Sequence, residues 1–257
     1  MGTFNHNSGQ YLEVSGAKIY YEEIGNKEKP VLLILHGGLQ DMENLNSVAS
    51  YLSEDFRIIG IDSRGHGKST LGDMKLIYAQ MQLDTEAVLK YLGIDTVNIF
   101  GMSDGGVIAY RIAASNKVKV DKLITMGASW RVKDVIETEE ILRTITPDRA
   151  KELFPENVER YQKINPEPNY DKFVQSVVEM WLDKANTGRP DKSVKDISAE
   201  TLLIRGDKDF LVSLGSLVEL TDKINNSALL NVPFAGHEVY EEQPQVIKIM
   251  LKQSLNV

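Results

Sequence analysis

The residues best equipped for chemistry are Ser103, Asp209 and His237, and the first of them lies in the pentapeptide Gly101-Met102-Ser103-Asp104-Gly105. A serine hydroxyl is a weak nucleophile. It attacks an acyl carbonyl when a neighbouring base takes its proton and a third group orients that base. The surroundings of Ser103 suit this task. Thr96-Val97-Asn98-Ile99-Phe100 is short, β-branched and apolar, which predicts a buried strand, and Gly106 to Ala114 predicts a helix. A serine at such a strand-to-helix turn is lifted above the sheet edge, and the helix N-terminus is aimed at the reacting carbonyl. The turn is strained, and small residues two positions before and after the serine let strand and helix pass closely.

A base must come from one of the four histidines. His6 lies in the polar stretch Asn5 to Gly9, which reads as disordered. His36 closes the apolar run Val31 to Leu35 and precedes Gly37-Gly38, and His66 lies within Asp62 to Ser69. The chain order that goes with this elbow is serine, then acid, then histidine, and only His237, in Ala235-Gly236-His237-Glu238, follows Ser103. The acid is expected on the loop after the strand Thr201 to Arg205, where Asp207 and Asp209 compete. Asp207, directly after the glycine turn, suits local turn hydrogen bonds. Asp209 reaches better toward the histidine loop and is assigned as the carboxylate that fixes the imidazole tautomer. The tetrahedral oxyanion needs two N–H donors, assigned to Asp104 and to the loop after the first core strand, at Gly38 in preference to Leu39. His36 and the Asp62 to Ser69 segment read as structural.

With His36-Gly37-Gly38, Asp62 to Ser69, the Ser103 elbow, and Gly206-Asp207-Lys208-Asp209 with Gly236-His237 in this order, the chain resembles the α/β-hydrolase superfamily. The likeness is to its capped branch of serine esterases, lactonases and perhydrolase-like enzymes, and runs from about Tyr11 onward. It implies an α/β-hydrolase fold, a mostly parallel eight-stranded sheet flanked by helices, with a core of residues 1–129 and 196–257 and a helical cap of residues 130–195 roofing the serine. It also implies hydrolysis of a small carboxylic ester, lactone or related acyl substrate through an acyl-enzyme, with no cofactor and no metal. The same triad serves perhydrolysis and C–C bond hydrolysis, and the fold also serves as a small-ligand receptor. Ser103 separates the chain from haloalkane dehalogenases and epoxide hydrolases, which carry aspartate there. The Ser-Asp-Gly-Gly elbow is similar to that of amino-acid ester hydrolases, whose corresponding aspartate recognises an α-amino group. That role carries over only to Asp104, whose carboxylate also complements the helix dipole. Met102 and Trp130, near strand ends, and Phe210, beside the acid, are the candidates to line a pocket.

The elements that must position these residues follow from hydrophobic periodicity. Tyr11 to Val14 and Lys18 to Glu23 read as an opening hairpin. Strands at Val31–Leu35, Arg57–Ile61, Thr96–Phe100 and Lys122–Met126 alternate with helices near Glu43–Tyr51 and Ile77–Leu92, which predicts a parallel sheet covered on both faces. From about Trp130 to Lys195 strands vanish, and helices are expected at Val132–Arg143, Asp148–Ile164 and Tyr170–Ala185. The strand pattern then resumes at Thr201 and Ala228.

The 257 residues are enough for a substantial core. A net charge of −8 argues against nucleic acid, whose phosphates need a basic surface. No apolar run approaches the ~20 residues of a membrane span, and no signal peptide is visible, so a cytoplasmic protein acting on a small molecule is expected. The absence of cysteine excludes disulfides, thiolate metal sites and a cysteine nucleophile.

Overall fold

Strands β3 (Val31–Leu35), β4 (Arg57–Ile61) and β5 (Thr96–Met102) form the middle of the molecule because their runs are apolar on both faces. The computed structural model describes residues 2–257. With β1 (Gln10–Val14), β2 (Ala17–Gly25), β6 (Lys119–Met126), β7 (Glu200–Gly206) and β8 (Ser227–Val232) they make one eight-stranded sheet in the order β1-β2-β4-β3-β5-β6-β7-β8. β2 runs antiparallel to both of its neighbours, β1 and β4; from β4 to β8 all pairings are parallel. Alternate residues feed two cores. Leu33, Ile59, Ile99 and Leu203 join one, while Leu32, Ile58, Phe100 and Leu202 join the other.

Among the described residues ten α-helices flank or interrupt this sheet: α1 (Asn46–Leu52), α2 (Tyr78–Tyr91), α3 (Asp104–Ser115), α4 (Val132–Arg143), α5 (Pro147–Leu153), α6 (Pro155–Ile164), α7 (Tyr170–Trp181), α8 (Leu214–Thr221), α9 (Val239–Glu242) and α10 (Pro244–Ser254). Helices α4 to α7 form the insertion between β6 and β7. The single helix expected over 148–164 is two helices. Pro155 has no N–H to continue α5 and instead opens α6 at its first position, leaving Phe154 at φ −130° and ψ 55°, outside helical backbone, at the bend. Helix α7 also stops at Trp181, four residues before its expected end, as the chain turns through Asp183 to Gly188.

The N-terminal stretch departs most from expectation. Phe4 packs beneath Gly60, where a Cβ would stand 2.6 Å from its ring, and its backbone exchanges hydrogen bonds with the Asn46 side chain. His6 is buried between Glu43 and Asp62, at 2.6 and 2.7 Å. These buried polar partners order a segment whose composition alone suggests no core.

Strand order places the site. The chain leaves β3 toward β4 and then crosses back over β3 to β5. The connections therefore diverge at the C-terminal ends of β3 and β5, opening the crevice where ligands bind in open α/β sheets. His36-Gly37-Gly38 and Ser103 follow those two strand ends.

Candidate active site

Ser103 stands between β5 and α3 with φ 49° and ψ −113°, outside the conformations that residues with a Cβ prefer. Its N–H donates to Met126 O at 2.8 Å, and Gly105 N–H donates to His36 O at 3.0 Å, which holds the turn from both sides. The spacing leaves no room for larger neighbours. A Cβ at Gly105 would lie 2.2 Å from Leu35 O, and one at Gly101 would lie 2.5 Å from Gly105 O. Although it occupies the helix N-cap, Ser103 makes no side-chain cap bond. Its Oγ instead lies 3.0 Å from His237 Nε2.

His237 Nδ1 lies 2.9 Å from Asp209 Oδ2, so serine, imidazole and carboxylate form one hydrogen-bonded chain. Asp209 Oδ1 accepts from the backbone N–H groups of Leu211 and Val212, at 2.9 and 3.2 Å. Burial pushes the Asp209 carboxyl up, but the His237 bond and charge together with those two donors outweigh it and hold the group below its ordinary value. Asp207 differs from expectation. It is exposed, and among the described residues its carboxylate accepts no hydrogen bond. The turn hydrogen bonds assigned to Asp207 belong to Asp209, because only the latter points back over Leu211 and Val212.

Among the described residues the N–H groups of Gly38, Leu39 and Asp104 donate to no protein acceptor. The loop that carries the first two is tightly specified. Leu39 adopts φ 59°, Gly37 N–H donates to Gln40 Oε1 at 3.1 Å, and Gln40 Nε2 donates to Glu238, next to His237. Asn157 of α6 donates to Leu39 O at 3.2 Å. Gly38 must be glycine, since a Cβ there would meet Asp104 Oδ2 at 2.5 Å and the Trp181 ring at 2.6 Å. His36 is structural as expected: Nδ1–H donates to Gly37 O and Nε2 accepts from Ser63 N–H. The Asp62 to Ser69 loop is likewise held internally, Asp62 accepting from the N–H groups of Met42 and Lys68.

Two lobes of one cavity meet at Ser103 and His237, with volumes of about 640 Å³ and about 430 Å³. Phe154, Trp181, Phe210 and Leu211 border both. Of the side chains expected to line a pocket, Met102 reaches the larger lobe and Phe210 reaches both. Trp130 reaches neither. It is buried away from the serine, its indole N–H donating to Ser216 O of α8 at 3.1 Å. Asp104 borders the smaller lobe, yet its carboxylate already accepts from Tyr78 O–H at 2.6 Å and from Trp181 Nε1–H at 2.8 and 2.9 Å. Trp181 and Phe154 were not evident from sequence. Both sit at ends of insertion helices, and only the folding of that insertion over the sheet brings them to Ser103.

His6, Asp41 and Asp62 bring ligand-type atoms within 4.8 Å of one another. Arg160 of α6 bonds Asp41 and lies 2.8 Å from Glu43, and His6, whose pKa burial lowers but the neighbouring carboxylates lift to about 9, sits between Glu43 and Asp62, so two cations already serve this cluster.

A family model for the alpha/beta hydrolase fold matches residues 30–163, just over half of the chain. The chain belongs to the α/β-hydrolase family. Within it, the AB hydrolase superfamily protein YisY of Bacillus subtilis is 27% identical, the match covering 96% of this chain and 99% of the relative. The bifunctional esterase/perhydrolase DCH of Acinetobacter calcoaceticus is 24% identical, over 93% of this chain and 96% of its own. The crystal structure of the enol-lactonase from Burkholderia xenovorans LB400 superposes with a TM-score of 0.76 at 18% identity, covering 96% of this chain and all of the other, a likeness of fold. Family membership makes this α/β-hydrolase a hydrolase of esters or related small molecules. No helix among the described residues is long and apolar enough to cross a membrane.

Proposed function

We propose that this α/β-hydrolase is a serine hydrolase of a small carboxylic ester, lactone or related acyl compound, working through an acyl-enzyme. The observation that carries the reading is the unbroken chain Ser103 Oγ, His237 Nε2, His237 Nδ1, Asp209 Oδ2, with contacts of 3.0 and 2.9 Å. Ser103 Oγ attacks the carbonyl carbon as its proton passes to His237 Nε2, and Asp209 holds the other ring nitrogen and stabilises the imidazolium. The carbonyl oxygen becomes an oxyanion facing the unengaged N–H groups of Asp104 and Gly38. Collapse expels the alkoxide, which takes the proton from Nε2. In the second half, water loses its proton to the same base, attacks the acyl-enzyme and releases the acid and Ser103. The insertion acts as a cap, with Trp181 and Phe154 walling the serine from bulk water. The substrate scope takes support from the relatives named as an esterase/perhydrolase and an enol-lactonase.

The test is covalent. A fluorophosphonate should label Ser103 and no other serine, and Ser103→Ala should abolish both labelling and 4-nitrophenyl acetate turnover, a loss on the order of 10⁴–10⁶ in kcat. Undiminished turnover by purified, folded Ser103→Ala protein refutes the proposal.

A further inference from the structure

The cavity beside Ser103 is electrically lopsided. Its larger lobe is lined by Glu43, Glu238 and Glu241 and by no lysine or arginine. The smaller lobe has largely apolar walls from α3, α4 and α5, and carries Arg149 and Arg189 against the single carboxylate of Asp104. Arg189 is only 6% exposed. Its Nε donates to Ser129 Oγ at 3.0 Å, its Nη1 donates to Trp181 O, and its guanidinium lies over the Tyr78 ring, 5.1 Å from the centroid.

What Arg189 lacks is an anion. The buried Arg64 and Arg131 pair with Asp84 and Asp134, and the buried Arg205 spends Nε, Nη1 and Nη2 on three oxygen acceptors. Among the described residues Arg189 has no carboxylate within ion-pair distance and its Nη2 has no acceptor. Asp104 makes no ion pair or hydrogen bond with it; its oxygens accept from the neutral donors Tyr78 and Trp181. A cation removed from water without a counter-ion is costly, and this one borders a cavity that opens on a nucleophile.

The two lobes differ in their walls. Asp104 and Val107, on the helix that follows Ser103, border only the smaller lobe. Glu238, Tyr240 and Glu241, which follow His237, border only the larger lobe, while His237 itself borders both. We propose, resting on the serine-hydrolase reading above, that the acyl group this enzyme cleaves carries a carboxylate, which Arg189 receives in the smaller lobe. The carboxylate takes the open Nη2 donor in a charge-assisted bond, and the apolar walls hold the methylenes between it and the ester. Glu238 and Glu241, which no cation pairs among the described residues, repel the same group from the larger lobe, while Glu43 is already paired with Arg160. That lobe takes a neutral or cationic leaving group, so each substrate binds in one orientation.

The experiment compares kcat/KM for mono-4-nitrophenyl adipate and 4-nitrophenyl hexanoate, acyl groups of equal length, with spontaneous hydrolysis subtracted. The wild type should favour the adipate half ester by about 10- to 100-fold, as expected of one hydrogen bond between charged groups. Arg189→Met should bring the ratio close to one, and Arg189→Lys should retain part of it. A matched pair with the charge on the other side, 4-acetoxybenzoate and phenyl acetate, should show no preference for the anion. Equal cleavage of adipate and hexanoate esters by the wild type overturns the proposal, whether or not Arg189→Met folds. A preference that survives in Arg189→Met overturns it too. Failure of every ester together with failure of fluorophosphonate labelling would instead remove the serine-hydrolase reading.

Discussion

Replacing Asp209 by asparagine changes one atom and should silence the enzyme without unfolding it. Oδ1 of Asp209 accepts from Leu211 and Val212 N–H while Oδ2 faces His237 Nδ1. Those two donors require an oxygen, so the asparagine carbonyl must take the Oδ1 place and its NH2 must face the imidazole. The ring nitrogen opposite an N–H has to accept, which moves the imidazole proton from Nδ1 to Nε2. That nitrogen, 3.0 Å from Ser103 Oγ, then presents a hydrogen where it needs a lone pair, and the serine has no base. The expected loss is roughly 10⁴ in kcat at neutral pH, as tautomer inversion costs in triads of this kind, or about 5.5 kcal/mol of activation free energy. The assay is 4-nitrophenyl acetate turnover at saturating substrate, with urea unfolding of the same preparation. KM should change far less than kcat. A folded Asp209→Asn protein that keeps more than about a tenth of wild-type kcat refutes the tautomer argument.

Three further outcomes are expected. Asp207→Asn should change both turnover and stability little, within about 0.5 kcal/mol, because its carboxylate is exposed and accepts nothing; a larger loss in urea unfolding would restore its turn role. Trp130→Phe should cost about 1 kcal/mol in unfolding free energy through the lost bond to Ser216 O while leaving kcat/KM intact, and a selective loss of activity would return Trp130 to the pocket wall. His66 is held neutral, chiefly by burial and then by its neighbour His36, which lower its pKa to about 3. The unfolded chain takes that proton below about pH 6.5, so the stabilisation is complete above that pH and is lost as pH falls toward 3, at up to ~1.4 kcal/mol per unit. Urea midpoints at pH 7, 5 and 4 should therefore fall less steeply for His66→Phe, and an unchanged slope refutes the assignment.

The sheet was legible because each central strand is apolar on both faces and bounded by turn residues, so Val31–Leu35 and Arg57–Ile61 coincide with β3 and β4. That Ser103, Asp209 and His237 meet in one hydrogen-bonded chain was legible through their order along the chain and the glycines beside them. Side-chain direction was not. Trp130 follows a strand end just as Met102 ends one, yet only Met102 turns toward the crevice. Trp181, Phe154 and Arg189 carry no local signature, since their meeting at Ser103 depends on how four helices stack above the sheet. His6 misled for the opposite reason. Polar residues without periodicity read as solvated, and the partners that bury this one, Asp62 and Glu43, lie 56 and 37 positions away in sequence.

The backbone at Ser103 has a consequence for how this protein changes under selection. A residue with a Cβ held at φ 49° and ψ −113° costs of order 1–3 kcal/mol. Glycine visits positive φ almost freely, so, on the serine-hydrolase reading proposed above, the fold would gain by losing its nucleophile. Stability and activity pull in opposite directions at this one position. A library screened only for heat resistance would therefore enrich Ser103→Gly, and every gain made there would be an inactive protein. The strain held at this turn is what sets the Ser103 hydroxyl against His237.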